Sequence, residues 1–421
     1  GELFFKSKLI GSFIMVKWWV LITLYLTQGL PHGFFSQALP ALLRQQGMSL
    51  EAIGLMSLVA LPWVLKFLWA PLLDHYQPLK RLTGGKIDGH IRKTWIITAN
   101  AFAALVLMFI ASTPLDFWIN QAAIGLACAL FVLTVFVVTQ DIATDALAVE
   151  NIPVQQRGLG NSIQVAGYRI GMIIGGGLLL AIFAQLGWQG TLWGLASLMI
   201  IGLIPLWFWQ PAAVTVDKEP MFKHWLGFFQ LSGAGAWLIL LVTYKIGDAF
   251  GTAMIRPHLV DLGVTLSEFA ELLGVWGTIA GLVGAVLGGL IIKFMSRMTA
   301  LMLFIALEGL AIAGYALLTS LDWSLIYALV IIEHVAGGMA TVALFTVMMD
   351  RCRESSAGSD YALQSCLVVL STLLATSFAG FSAASFGYAV HYLIAAGLCM
   401  IGFIVLMINK ENIGSKNICQ I

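Results

Sequence analysis

Long apolar runs broken by short polar or Pro/Gly-rich turns dominate this chain. They fall near 18–42, 51–73, 94–113, 118–141, 160–185, 190–209, 236–258, 271–293, 299–319, 325–348, 362–385 and 389–408. Each is close to the 20 or so residues that a helix needs to cross a bilayer's hydrocarbon core. A backbone out of reach of water must satisfy its own N–H and C=O groups, so every run predicts a helix. The pattern therefore predicts an all-α membrane protein with twelve transmembrane helices. The longest connections, 74–93 and 210–235, are too short for a separate soluble domain.

The cations orient the spans. With an even number of spans both termini share a side, and that side holds Lys6, Lys8, Lys17, Lys80, Arg81, Lys86, Arg92, Lys93, Arg157, Lys218, Lys223, Lys293, Arg297, Arg351, Arg353, Lys410 and Lys416, against Arg44 alone on the other. Short cytoplasmic loops collect Lys and Arg, so both termini are expected in the cytoplasm. The outer loops carry acids instead: Asp116, Asp261, Glu268, Glu271 and Asp322. A weak internal repeat divides the spans. A shift of 216 residues aligns GMSL (47–50) with GVTL (263–266), and a shift of 200 aligns RGLGNSIQ (157–164) with AGSDYALQ (357–364). Two six-helix bundles follow, 1–209 and 236–421, joined by a central cytoplasmic linker at 210–235. Repeats of this kind place a substrate site near mid-membrane in many secondary transporters.

Composition agrees. Of 421 residues 60% are apolar and only 10% charged, against roughly 25% charged in soluble domains. A soluble enzyme is excluded. A net charge of +1 without a basic cluster gives no sign of a nucleic-acid partner. Cys128, Cys352, Cys366, Cys399 and Cys419 stand singly, with neither disulfide nor metal-ligand spacing, so no metal site is expected. GELFFKSKLIGSFI precedes Met15, which reads as the natural start, and no small-residue cleavage site follows the first apolar run. No GxxxxGK[ST], HExxH or GxSxG signature occurs. The chain is expected to be no enzyme, to need no cofactor, to act as a monomer and to be driven by a gradient or by downhill flow.

Ionisable groups inside a bilayer cost roughly 2.5–3.5 kcal/mol on insertion scales, so each is a functional candidate. The cations within runs are Lys66, Arg169, Lys245 and Arg256, and the acids at similar depth are Asp141, Asp145, Asp248, Glu308 and Glu333. Lys245, Asp248, Thr252 and Arg256 share one helical stripe, as do Thr134, Asp141 and Asp145, and Tyr25, Gln28, His32 and Ser36. In a two-bundle transporter spans 1, 4, 7 and 10 line the central cavity, which suits those stripes. The substrate-binding or coupling candidates are Gln28, His32, Lys66, Asp141, Asp145, Arg169, Lys245, Asp248, Arg256, Glu333 and His334. Structural roles compete: Lys245 can pair with Asp248, Asp145 can cap a helix, and Glu308 can be a structural partner. Lys66 lies eight residues before Asp74, about 12 Å along a helix, which suits a cavity or a buried ion pair. Glu333 and His334 are adjacent and point to different faces, and an unperturbed histidine side chain has its pKa near neutrality, which makes His334 a proton-coupling candidate.

Glycine gives a second signal. Gly167, Gly171 and Gly175 on span 5, and Gly277, Gly281, Gly284 and Gly288 on span 8, allow close helix approach in lipid. Spans 5 and 8 are expected to meet across the bundle interface through this seam. No Pro occurs between 154 and 204, where drug/proton antiporters usually carry one.

APLLDHY (70–76) with Lys80 and Arg81 resembles the signature after span 2 of the major facilitator superfamily, with Asp74 as its acid. QGLPHGFF (28–35), IGLMSLVALPWVLKFLWAPLLD (53–74), TQDIATDALAVE (139–150) and RGLGNSIQVAGYRIGM (157–172) resemble the branch of AmpG-type muropeptide permeases and acetyl-CoA transporters. QALPALLRQQGMSLEAIG (37–54) and GNSIQVAGYRIGMIIGGG (160–177) are most similar to the RhtX/FptX siderophore transporters. The resemblance implies a major facilitator fold and uptake of a ferric siderophore across the bacterial inner membrane, with protons as candidate co-substrate; Asp74 and Arg157 are the gating or motif candidates. The alternative it leaves is a permease for muropeptides or another amphipathic anion. A non-transporting receptor or a lipid-modifying enzyme is the reading from another class.

Overall fold

The computed structural model describes residues 2–39, 42–43, 57–78, 90–211, 226–265, 268 and 270–414. Arg44, Lys80, Arg81, Lys86, Lys218, Lys223, Lys416, Cys419 and the 47–50 copy of the repeat lie outside the described residues. Eight helices among the described residues are long and apolar enough to cross a membrane: Ile91–Ala111, Ala123–Asn151, Gln185–Phe208, Ala234–Asp261, Glu271–Ile291, Arg297–Leu317, Trp323–Asp350 and Glu354–Ile408. Large apolar side chains such as Phe109, Ile124, Phe294, Leu310 and Phe381 are exposed, as a protein in hydrocarbon allows. This is a multi-pass membrane protein.

The chain forms two compact units. Unit one comprises Gly1–Ile152, Ala166–Met221 and Glu354–Ala362; unit two comprises Pro153–Val165, Phe222–Arg353 and Leu363–Ile421. Each unit thus holds a short segment from the other half of the sequence, and these segments contain the 157–164 and 357–364 repeats almost entirely.

In unit one α1 (Glu2–Gly33) runs into a wider π-turn at Phe34–Ala38, just after Pro31. Span 2 is not one helix: Leu61–Leu65 and Ala70–His75 are short pieces flanking a tight turn at Lys66–Leu68. Pro62 and Pro71, each near the start of its piece, explain the interruptions, because proline lacks a donor and its ring clashes with the carbonyl four residues back. α2 (Ile91–Ala111) and α3 (Ala123–Asn151) follow, and α3 ends at Ile152, just before Pro153. α3 therefore continues a full ten residues past the expected end of span 4 at 141, which places Asp141 and Asp145 inside the helix rather than at its end. α4 (Arg157–Met172) passes through a π-turn at Ile173–Leu178. Gly187 (φ 65°) then turns the chain within α5 (Phe183–Ile201). Leu107, Leu130, Leu133, Leu192 and Leu195 of α2, α3 and α5 form one buried core.

The span-5 glycines pack elsewhere than expected. A Cβ on Gly171 would strike the Leu26 carbonyl, and one on Gly175 the Leu30 carbonyl, so this stripe lies against α1 backbone to backbone. The start of α4, within unit two, meets span 8: the Ser162 hydroxyl donates to Ala285 O at 2.6 Å, and Gly158 faces Gly289 and Ile292.

In unit two span 7 is α6 (Ala234–Tyr244), α7 (Ile246–Thr252) and α8 (Ile255–Asp261), broken at Lys245 and again at 253–254. Pro257 accounts for the second break, four residues after Ala253. The interruptions dissolve the expected single stripe, and Arg256 ends up exposed. Before span 8, Thr265 and Glu268 cap each other: the Thr265 N–H and hydroxyl donate to Glu268, at 2.9 and 2.6 Å, and hold its carboxyl below the usual range. α9 (Thr278–Ile291) packs its glycines on α11 (Trp323–Asp350), where Gly284 meets Val335 and Gly288 meets Met339. α10 (Arg297–Gly314) is capped by Ser296, and α11 by Asp322, which accepts from Ser324 N at 3.0 Å. α12 (Ala357–Ile408) reverses at Gly387 (φ 79°), 200 residues after Gly187. The shift that aligns the two sequence repeats therefore also aligns the two glycine turns.

Candidate functional site

Unit one carries a buried lysine centre. Lys66 Nζ lies 2.6 Å from Asp141 Oδ2, both side chains being less than a tenth exposed, and 5.7 Å from the Trp63 ring centre. Span 2 supplies the lysine and α3 the acid, so the pair ties a proline-broken segment to a continuous helix. Asp145, one turn further along α3, is buried and accepts from the Tyr25 hydroxyl at 3.2 Å. Asp145 thus stands inside α3, six residues before its end, and not at a cap. On α1 the stripe continues as predicted: Gln28 is buried with Nε2 lacking a hydrogen-bond partner among the described residues, and the His32 ring lies 6.0 Å from Trp63 and 5.7 Å from Tyr168. Arg169, next to Tyr168 on α4, is half-buried. Trp69 donates to Thr139 Oγ1 at 3.2 Å. Unit one thus brings together aromatic faces, an amide with bonding capacity in hand, and an ion pair.

Unit two carries a second centre, at the break between α6 and α7. Lys245 Nζ contacts Asp248 Oδ2 at 2.5 Å and Glu308 Oε1 at 2.6 Å. Glu308, on α10, is completely buried, and its Oε2 has no hydrogen-bond partner among the described residues. On α11, Glu333 Oε2 accepts from the Tyr315 hydroxyl at 3.1 Å and lies 2.6 Å from His334 Nδ1. The adjacent pair that helical geometry sends to different faces is thus brought into contact, with Glu333 buried and His334 partly exposed.

Asp74 and Arg157 sit in two further networks. Asp74 accepts from Gly358 N at 3.1 Å, Ser359 N at 2.8 Å and the Ser359 hydroxyl, at the first turn of α12. A carboxylate there completes orphan N–H groups and meets the positive end of the helix dipole. Arg92 pairs with Asp74 at 2.7 Å and with Glu150 at 2.7 Å. In unit two Arg157 pairs with Asp350 at 2.9 Å and donates to Met349 O at 3.0 Å, while Arg297 holds the other Asp350 oxygen at 2.8 Å. Arg92, Glu150, Arg297 and Asp350 were not singled out from sequence. The signal available was the pairing of opposite charges at span ends, which a count of loop cations discards.

Buried charge centres on apolar, proline-broken helices, in two compact helical units, define a polytopic membrane transport fold. The chain belongs to the Major Facilitator Superfamily, whose family model matches residues 84–368. It is similar to the anhydromuropeptide permease of Escherichia coli strain K12, with 31% identity over 404 residues, covering 94% of this chain and 80% of that protein. It is also similar to a Rickettsia bellii (strain RML369-C) transporter named AmpG 1, with 25% identity over 388 residues, covering 88% and 92%. Among solved structures the human organic anion transporter MFSD10 (TETRAN) superposes with a TM-score of 0.68 at 13% identity, covering 92% of this chain and 98% of that one. At that identity the likeness shows the fold alone.

The relationship corrects the siderophore expectation. Similarity extends over 94% of the chain to a protein named for anhydromuropeptides, so neither siderophore transport nor iron uptake stands. The misleading phrase at 160–177 has a structural explanation. Its Gly167, Gly171 and Gly175 are packing residues against α1, which report helix contact and not the cargo.

Proposed function

We propose that this chain is an inner-membrane permease that carries an anhydromuropeptide, a sugar bearing a short peptide, into the cytoplasm. The 31% identity across 94% of the chain to a permease of that name carries the reading. Twelve spans are part of it: the long Glu354–Ile408 segment turns at Gly387 and counts as two, and the apolar runs at 18–42, 51–73 and 160–185 complete the set. Two bundles at 1–209 and 236–421, a linker at 210–235 and cytoplasmic termini complete the architecture.

Unit one suits such a ligand. A pyranose ring has apolar C–H faces and a polar rim, which match the Trp63, His32 and Tyr168 rings and the buried Gln28 amide. Arg169, beside Tyr168, places a cation next to these rings that suits a peptide carboxylate, while Lys66 is held by Asp141. Asp74 and Arg157 act as gating residues, holding helix ends in one state and releasing them in another. The test is uptake of labelled anhydromuropeptide by proteoliposomes. The expected result is saturable entry above protein-free vesicles, competed by unlabelled anhydromuropeptide. Chemical conversion without entry would mark an enzyme, and binding without entry a receptor; either overturns the proposal.

A further inference from the structure

Charge counting in unit two leads beyond the cargo to the driving ion. Around the break at Lys245 the described residues place three carboxylates, Asp248, Glu308 and Glu333, and one lysine. His334, the remaining basic group of the cluster, adds at most one more positive charge through its contact with Glu333. With every acid ionised the cluster carries excess negative charge at membrane depth, where a buried unpaired charge costs several kcal/mol.

The geometry singles out one acid. Asp248 is partly exposed at its side chain, and Glu333 accepts from the Tyr315 hydroxyl and lies 2.6 Å from His334 Nδ1, which also stands 2.9 Å from Val330 O. Glu308 is wholly buried, shares Lys245 with Asp248, and leaves Oε2 without a partner among the described residues. An ionised carboxylate so placed leaves a charged oxygen bare, whereas a protonated one leaves only a neutral hydroxyl, which is much cheaper to bury. Its surroundings carry other titratable groups on every side: Lys245 and Asp248 at the α6–α7 break, Tyr244 on α6, Glu333 on α11 and Cys399 on α12. Gly337 makes room for two of them. A Cβ there would lie 3.3 Å from Glu308 Oε1 and 3.5 Å from Glu333 Oε1, so both carboxylates face the same gap.

We infer that Glu308 is a reversible proton-binding site, and that Lys245 alternates between two carboxylates and one as Glu308 takes up and releases a proton during transport. The proton goes onto Glu308 Oε2. Lys245 then keeps Asp248 as its charged partner, so the cluster is never left with a bare ammonium. The inference rests on the transport reading above for its consequence, but not for its existence.

Two measurements separate these. Infrared difference spectroscopy of the purified protein between acid and alkaline pH needs no cargo. A carboxylic-acid C=O band that shifts in D2O is expected, and is lost in Glu308→Gln. In proteoliposomes with the membrane potential clamped, a pH gradient should drive accumulation of labelled anhydromuropeptide. At one proton per substrate this is about tenfold per pH unit, since each tenfold ratio is about 1.4 kcal/mol. Glu308→Gln should lose this accumulation but keep counterflow exchange, because Lys245 retains Asp248. A band that persists in Glu308→Gln, or pH-driven accumulation that survives it, overturns the inference. Should Glu308→Gln fail to reach the membrane, Asp248→Asn decides. It leaves Lys245 and Glu308 as a one-to-one ion pair, which fixes Glu308 ionised and should abolish band and coupling together; their persistence overturns it. Wild-type protein with the band but without exchange refutes the cargo reading alone, and exchange without the band refutes the proton site alone.

Discussion

In unit one the buried lysine meets Asp141, and in unit two the buried lysine is bridged by two carboxylates. Lys66 pairs with Asp141, and the second acid of that region, Asp145, is bonded by Tyr25. Lys245 is bridged by Asp248 and Glu308, and the third acid, Glu333, is bonded by Tyr315. Each region thus pairs a lysine centre with a tyrosine-bonded carboxylate, yet the two are not copies. Lys66 stands in span 2 and Lys245 in span 7, which neither repeat shift brings into register. The same pairing chemistry thus stands at two unrelated positions of the chain. On the inference above, the centre in which two carboxylates bridge one lysine is the one that changes its proton count.

The difference predicts unequal responses to removing one acid. Asp141→Asn takes away the carboxylate 2.6 Å from Lys66, and breaking a buried pair costs about 3–5 kcal/mol. Asp248→Asn leaves Glu308 on Lys245 and should cost about 1.5–3 kcal/mol, the range for a hydrogen bond to a charged group. Thermal unfolding in detergent, followed by fluorescence-detected size exclusion, should show the larger loss in Asp141→Asn. Equal losses would break the comparison. Adding Lys66→Met to Asp141→Asn should recover much of the stability, because the uncompensated ammonium goes with it.

Sequence reasoning reached the fold class and the buried charges, and for a definite reason. Bilayer hydrocarbon makes apolar run length and misplaced charge strong signals, so Lys66, Asp141, Lys245 and Asp248 stand out against their surroundings. Partners were harder to see. Lys66 with Asp141, and Lys245 with Glu308, join residues 75 and 63 apart, and helical periodicity relates only near neighbours. Proline breaks were underweighted too: Pro62, Pro71 and Pro257 stand in plain view, but the runs around them read as continuous because apolarity does not register a lost backbone donor. The glycine stripe of span 5 was legible as a close-packing face, while its partner helix α1 was not, since GxxxG spacing specifies proximity without naming the neighbour.

Glycine contacts sharpen the comparison at intermediate size. In unit one a Cβ on Gly175 would meet the Leu30 backbone, which cannot move aside without shifting α1. Gly175→Ala should therefore carry an overpacking cost of about 1–3 kcal/mol. In unit two the Cβ of Gly337→Ala would meet the ends of two flexible glutamates at 3.3 and 3.5 Å. A smaller loss is expected in the same thermal assay, together with a changed pH dependence of pH-driven uptake, because the gap shared by Glu308 and Glu333 is filled. A Gly337→Ala loss as large as that of Gly175→Ala would show that the carboxylates are held as rigidly as backbone, and would weigh against a mobile proton site.

The smallest expected effect tests the tyrosines, the one feature the two centres share. Tyr25→Phe and Tyr315→Phe each delete a single hydroxyl, removing a bond of 3.2 Å to Asp145 and of 3.1 Å to Glu333. Each should cost about 1 kcal/mol, because at 3.2 and 3.1 Å both bonds are longer than the usual O–H···O contact and fall to the net worth of an ordinary one. Their functional consequences should diverge even so. Glu333 keeps His334 at 2.6 Å after Tyr315 is changed, so exchange and pH-driven accumulation should both persist. Tyr25 lies on the α1 face that carries Gln28 and His32, so Tyr25→Phe should weaken cargo affinity and raise the half-saturating concentration for exchange without uncoupling it. Loss of pH-driven accumulation in Tyr25→Phe, with exchange intact, would move the proton site from Glu308 to Asp145 and exchange the roles of the two units.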